Sequence, residues 1–188
     1  MEWGNPFTNL RKLEILIEYC LTEEDRQNID MNLPCSNNQT PMFHYPAYLE
    51  TLNFFKLFYL VTKWIQLQPE MHDIKMRTVR KQLVCAILRV YVRSNVQART
   101  LIVRWESYGE GSEFHCGEDD AMILLDPEIY PLIIKTKKLV VRTPAFFGKF
   151  HEKLPEIFKD LVCGSFPAQG MIIRCLRRHF YTMSIFLI

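Results

Sequence analysis

The chain reads as an α+β domain, with a helical N-terminal half packed with a small mixed or antiparallel sheet in the C-terminal half. Three observations predict this. From Thr8 to about Leu21, and again from Ala47 to Tyr91, the apolar residues recur at intervals of three and four, the period of one helix face. Beyond Ser94 and Asn95, Leu101, Val103 and Trp105 alternate with Ile102, Arg104 and Glu106 at the two-residue period of a strand. Of the 188 residues 48% are hydrophobic and 13% aromatic, a composition that supports one core, so residues 1–188 are expected to form a single compact domain.

Thr8 is placed to cap a first helix running to about Leu21, through Leu10, Leu13, Leu16 or Ile17, and Cys20 or Leu21. Asn28, Asn32, Pro34, Ser36, Asn37, Asn38, Pro41 and Pro46 then punctuate residues 22–46, which predicts a long loop. Leu49, Leu52, Phe55 or Phe58, Tyr59, Thr62 and Ile65 predict a second, deeply packed helix from Ala47 to about Gln68. Pro69 stops it and opens a third, with Ile74, Leu83, Val84, Ile87, Leu88 and Tyr91 on its apolar face.

In the second half, Gly109-Glu110-Gly111-Ser112 is a turn. Ala121–Leu125 and Leu139–Arg142 are further strands, with a short helical turn at Asp126-Pro127-Glu128 that Pro131 ends. A helix interrupted near Pro155 is expected from Pro144 to about Val162, closed by Gly164. Residues 171–188 read as a helix or as two short strands with a docked terminus.

The 23 bases and 21 acids nearly balance, so total charge names neither a nucleic acid nor a membrane as partner. No basic N-terminal run precedes an apolar stretch, and no window has the apolar length of a membrane span, since Lys56, Thr62, Lys63 and Gln66 break the most apolar one. A chain of the cytoplasm or nucleus, without a transmembrane segment, is expected. The six cysteines are scattered and read as reduced, with Cys20, Cys85 and Cys163 among apolar neighbours.

One stretch has the texture of a recognition element: Phe114-His115-Cys116-Gly117-Glu118, followed by Asp119 and Asp120. With Phe114 in the leucine place, it resembles the Leu-x-Cys-x-Glu motif by which many viral and some cellular proteins bind the retinoblastoma pocket. The resemblance implies a protein partner bound through Phe114, Cys116, Glu118, Asp119 and Asp120. An extended segment would lay an apolar side chain and a thiol in a groove and set a carboxylate on helix-terminal amides. Val92-Arg93-Ser94-Asn95, Arg99-Thr100, Trp105-Glu106 and Tyr108-Gly109 are similar to a stretch of vesiculovirus matrix proteins. That resemblance implies an accessory or matrix-like viral protein, here without the family's lysine-rich arm.

Spacing bears on other chemistry as well. Cys175 and His179 share a helical face and, with His115 and Cys116, would compose a metal site; no close cysteine pair gathers them, and neither metal nor cofactor is expected. Asp119, Asp120, Asp126 and Glu128 preceding Lys135 and Lys137 follow the order of a metal-dependent nuclease, without its Glu-x-Lys spacing. A Gly-x-Ser-x-Gly elbow is absent, and so is a phosphate-cradling glycine loop. Three basic clusters stand out: Lys75, Arg77, Arg80 and Lys81; Lys135, Lys137, Lys138 and Arg142; and Arg174, Arg177 and Arg178. Converging on one face they would hold RNA or an anionic membrane surface. The expectation is a non-catalytic interaction or structural protein working through protein contacts, with nucleic-acid binding, and then the nuclease, as alternatives. Homo-oligomerisation stays open.

Overall fold

The computed structural model describes residues 6–33, 46, 50–68, 73–96, 98–104, 117–136, 138–144, 148–150, 152–153 and 180–186. The chain divides into two compact units, Met1–Leu49 with Lys56–Val96, and Glu50–Phe55 with Gln97–Ile188.

In the first unit, helix α1 spans Pro6–Ile15 and runs into a π-helical turn, Leu16–Cys20. Pro6 suits a first helical turn, where its missing N–H costs nothing, so the helix starts ahead of the expected Thr8. Leu21, in extended conformation, ends it. Helix α2, Glu23–Gln27, lies where a loop over 22–46 was expected. Its cause is local: Thr22 Oγ1 accepts the Asp25 N–H at 3.2 Å, and Asp25 Oδ2 accepts the Thr22 N–H at 3.1 Å, a capping box.

Helix α3 spans Phe54–Gln66 and helix α4 Asp73–Arg93. Phe58, Val61 and Ile65 of α3 and Val79, Leu83, Val84, Ile87 and Leu88 of α4 have no exposed surface. Helix α4 stops at Asn95, which takes the left-handed conformation (φ 51°) that asparagine tolerates. Around it Val96 N–H returns to the Tyr91 carbonyl and Asn95 N–H to that of Val92, both at 3.0 Å, a Schellman closure.

The second unit holds a four-stranded sheet in the order β1 (Thr51–Asn53), β2 (Thr100–Arg104), β3 (Lys138–Pro144), β4 (Phe180–Phe186). β1, β2 and β3 run parallel, and β4 is antiparallel to β3. The α+β character stands, but the expectation of a helical first half with a mixed or antiparallel sheet confined to the second half is overturned. The sheet is at heart a three-stranded parallel one whose first strand comes from residues 51–53, and helices alternate with strands on both sides of the chain's midpoint. Residues 51–53 were read as helix because Leu49, Leu52 and Phe55 keep helical spacing; what makes Thr51–Asn53 a strand is its pairing with Thr100–Ile102, far along the chain.

Across the sheet Leu52, Leu101 and Leu139 stand in register, as do Val103 and Val141, and none is more than 1% exposed. The alternate row, Asn53, Ile102 and Val140, is half-buried. One face of the sheet therefore carries the core. Residues 121–125, expected as a strand, form helix α5 (Glu118–Ala121) and a 3-10 turn (Met122–Leu125). A short apolar run fits either state, and the Asp120 carboxylate decides it by accepting the Gly117 N–H at 2.8 Å and starting a helix. Pro131, expected to end a turn, sits in the first turn of helix α6 (Tyr130–Ile134). Within the span expected as helix from Pro144, residues 148–150 and 152–153 are helical. Among the described residues no helix is long and apolar enough to cross a membrane.

Candidate functional site

The segment singled out as a recognition element enters the described structure at Gly117; Phe114 and Cys116 lie outside it. Its three acids have three different fates. Asp120 is fully buried, with Oδ2 on the Gly117 N–H. Glu118, half-buried, accepts the Phe150 N–H through Oε1 at 3.0 Å, which ties the start of α5 to the helical residues 148–150. Asp119 is exposed. The first two carboxylates thus bond main-chain amides of this chain, and the third faces solvent.

Downstream, a half-exposed apolar set emerges that sequence reading took for a strand interior. Leu124 is fully buried, whereas Met122, Ile123 and Leu125 of the same turn are half-exposed. In α6, Leu132 and Ile133 are buried while Tyr130 and Pro131 are half-exposed. Between them run Asp126, whose Oδ1 accepts the Glu128 N–H at 2.9 Å, and the exposed Glu128. The residues 119–131 therefore alternate acid and accessible apolar surface. Helical rather than strand phasing of 121–125 is the signal that reveals it.

The basic candidates do not behave as one group. In α4, Arg80 is 6% exposed and its guanidinium carbon stands 5.5 Å from the Phe58 ring centroid, a cation–π contact. Arg77 is exposed and Lys81 half-buried. Lys75 lies in the first turn of α4. In the second cluster Lys135 is exposed after α6, Lys138 is half-buried opposite Thr100 and Phe186, and Arg142 pairs in register with Arg104 and Thr182. Lys137, Arg174, Arg177 and Arg178 lie outside the described residues, as do the metal candidates His115, Cys116, Cys175 and His179. Sequence reading missed Arg89, half-buried, and Arg93, exposed, which continue the four-residue spacing of Arg77, Lys81 and Cys85.

Arg93 has a defined partner. Its Nη1 donates to Asp25 Oδ1 at 3.3 Å and its Nη2 to Asp25 Oδ2, which also accepts the Thr22 hydroxyl at 2.8 Å. Asp25 is 3% exposed; burial alone would push its carboxyl up, but Arg93 and the Thr22 hydroxyl and N–H outweigh it and hold the carboxyl below its ordinary value. Nearby, Arg26 Nη2 donates to the carbonyls of Ile17 and Glu18, both at 2.7 Å, and so occupies acceptors at the π-helical end. Cys20 and Cys85 are half-buried. Burial raises the Cys20 thiol, and burial together with Cys20 raises the Tyr91 phenol well above the ordinary tyrosine range.

Among the described residues no three His, Cys, Asp or Glu side chains gather as a metal site would require. The fold comprises a unit built on the four-stranded sheet, parallel over β1 to β3, and a second, helical unit. The chain matches no protein-family model, no curated protein and no solved structure.

Proposed function

We propose that this chain is a non-catalytic interaction protein of the cytoplasm or nucleus that binds a protein partner through residues 119–131. The observation that carries the reading is the half-exposed set Met122, Ile123, Leu125, Tyr130 and Pro131, interspersed with Asp119, Asp126 and Glu128. Apolar side chains held on short helices among acids are what a partner with an apolar groove and a basic rim would take. The resemblance to viral pocket-binding motifs supports an accessory role, with Asp119 as its solvent-facing acid; Glu118 and Asp120 contribute by fixing the helix that presents the surface.

The test is affinity capture of the tagged full chain from lysate, with and without nuclease, beside Ile123→Asp and Tyr130→Ala. A partner that survives nuclease and is lost from both variants, with their circular dichroism unchanged, supports the proposal. Capture unaffected by the substitutions, or capture abolished by nuclease alone, refutes it.

A further inference from the structure

We infer that strand β4 pairs edge to edge with β4 of a second copy of this chain, antiparallel and centred on Met183. The inference stands on β4 and apart from the protein contact proposed for 119–131. The sheet ends on β1 and on β4, and among the described residues no strand lies beyond either. β1 is three residues long, and shortness is one of the ways in which sheet edges are blunted. β4 is blunted in none of them. It is seven residues long, holds neither a charged residue nor a proline, and follows β3 one residue to one from Phe180 to Phe186, so no bulge bends it away. Such an edge offers its amides and carbonyls to another strand.

The order of residues names the strand that fits. Outward from Met183 in either direction, the sequence Phe180-Tyr181-Thr182-Met183-Ser184-Ile185-Phe186 runs hydroxyl, bulky apolar or aromatic, phenylalanine. Antiparallel pairing about a two-fold axis at Met183 would set Phe180 opposite Phe186, Tyr181 opposite Ile185, Thr182 opposite Ser184, and Met183 opposite itself. Aromatic pairs, aromatic with β-branched pairs, and hydroxyl pairs are those that stabilise neighbouring strands. The main chain agrees with this register. In an antiparallel strand alternate residues turn N–H and C=O to one neighbour and the rest turn them away, so three or four of the seven serve the outer edge. Pairing about Met183 matches every residue with one of the same parity, so those groups meet and form about six to eight hydrogen bonds. It also keeps Met183 and Ile185, which stand in register with the buried Val141 and Leu139, on one face of the joined sheet. Two four-stranded sheets then become one, and because each β4 is used once the assembly closes as a dimer.

The test is sedimentation velocity of the full chain over a concentration series up to about 100 μM, where a dimer is expected. In the double variant Thr182→Lys, Ser184→Lys, lysines face each other twice across the axis, and association is expected to weaken at least ~tenfold. In Thr182→Lys, Ser184→Glu each lysine meets a glutamate instead, and the dimer is expected to return. Both variants place two charges on the same strand, so the contrast between them reads the register and not the loss of Thr182 and Ser184. Amide hydrogen exchange of the wild type needs no substitution: protection within residues 180–186 is expected to rise with concentration while that of Leu101 and Val103 in β2 stays constant. Circular dichroism confirms that each variant is folded, and the exchange measurement decides should a variant not fold. The inference is overturned if the wild type stays a monomer throughout or assembles beyond a dimer. It is overturned equally if protection of residues 180–186 is independent of concentration, if the folded double-lysine variant dimerises like wild type, or if the folded lysine and glutamate variant does not dimerise.

Discussion

Asp25→Asn tests whether the short helix α2 is held by electrostatics or merely lies where the chain happens to turn. Asn retains the shape but loses the charge, and its amide sets a donor where Arg93 or Thr22 also donates. Two contributions are lost. The capping interaction is worth about 1 kcal/mol. The ion pair is worth no more than about 1 kcal/mol, because Arg93 is 42% exposed and regains water when its partner changes. The expected loss is therefore about 2 kcal/mol, or a Tm about 4–8 °C lower for a chain of this size, read by far-ultraviolet circular dichroism at pH 7. The pH dependence has a definite sign. The folded pKa of Asp25 lies below its unfolded value, so its stabilisation is fully present above about pH 4 and is lost as pH falls through the lower, folded value. The gap between wild type and Asp25→Asn should be constant from pH 7 to about 5 and close below about 4. A Tm shift under ~1 °C, or a gap that widens on acidification, would refute the reasoning.

Further outcomes follow from the same geometry. Glu118→Ala frees the Phe150 N–H and should cost about 1 kcal/mol, with faster amide exchange at Phe150 than at Asp120; unchanged exchange at Phe150 would remove Glu118 as its cap. Leu139→Ala, at a site 1% exposed, should cost about 3 kcal/mol in urea denaturation, whereas Val140→Ala on the opposite face costs less than ~1; equal losses would contradict the one-faced core. Tyr91 keeps its proton in the folded chain while unfolded tyrosine ionises near pH 10, so stability falls as pH rises above about 10. Tyr91→Phe should flatten that alkaline decline, and an unchanged decline would show that another group drives it.

The elements that were legible from the sequence are those whose signal is local. Helix α4 and strands β2 and β3 announce themselves by period, and the Schellman stop at Asn95 falls where the texture changes. β1 was hidden because three residues are too few to show a period, and what makes them a strand is a partner far along the chain. The capping box Thr22-x-x-Asp25 and the Asp120 carboxylate that closes on the Gly117 N–H are short local signatures, masked in the sequence by the asparagines and prolines around the first and by the acidic cluster around the second. In both cases a short polar signature set the local conformation more firmly than composition did. Arg89 was overlooked because basic residues were grouped by nearness in sequence, whereas a helix groups them by fours.

The strand Thr51–Asn53 also dictates an order of events during synthesis. Its parallel partner begins at Thr100, so when residues 50–55 leave the ribosome nothing is yet there to pair with them, and the whole of Lys56–Val96 must follow first. For that interval the second unit is only a short thread of chain, and the helices of the first can collapse ahead of it. A fragment cut at residue 97 would carry β2 with an open edge where β1 belongs, a row of unsatisfied amides and carbonyls prone to recruit another chain. Truncations meant to isolate the sheet should therefore graft residues 50–55 back onto it.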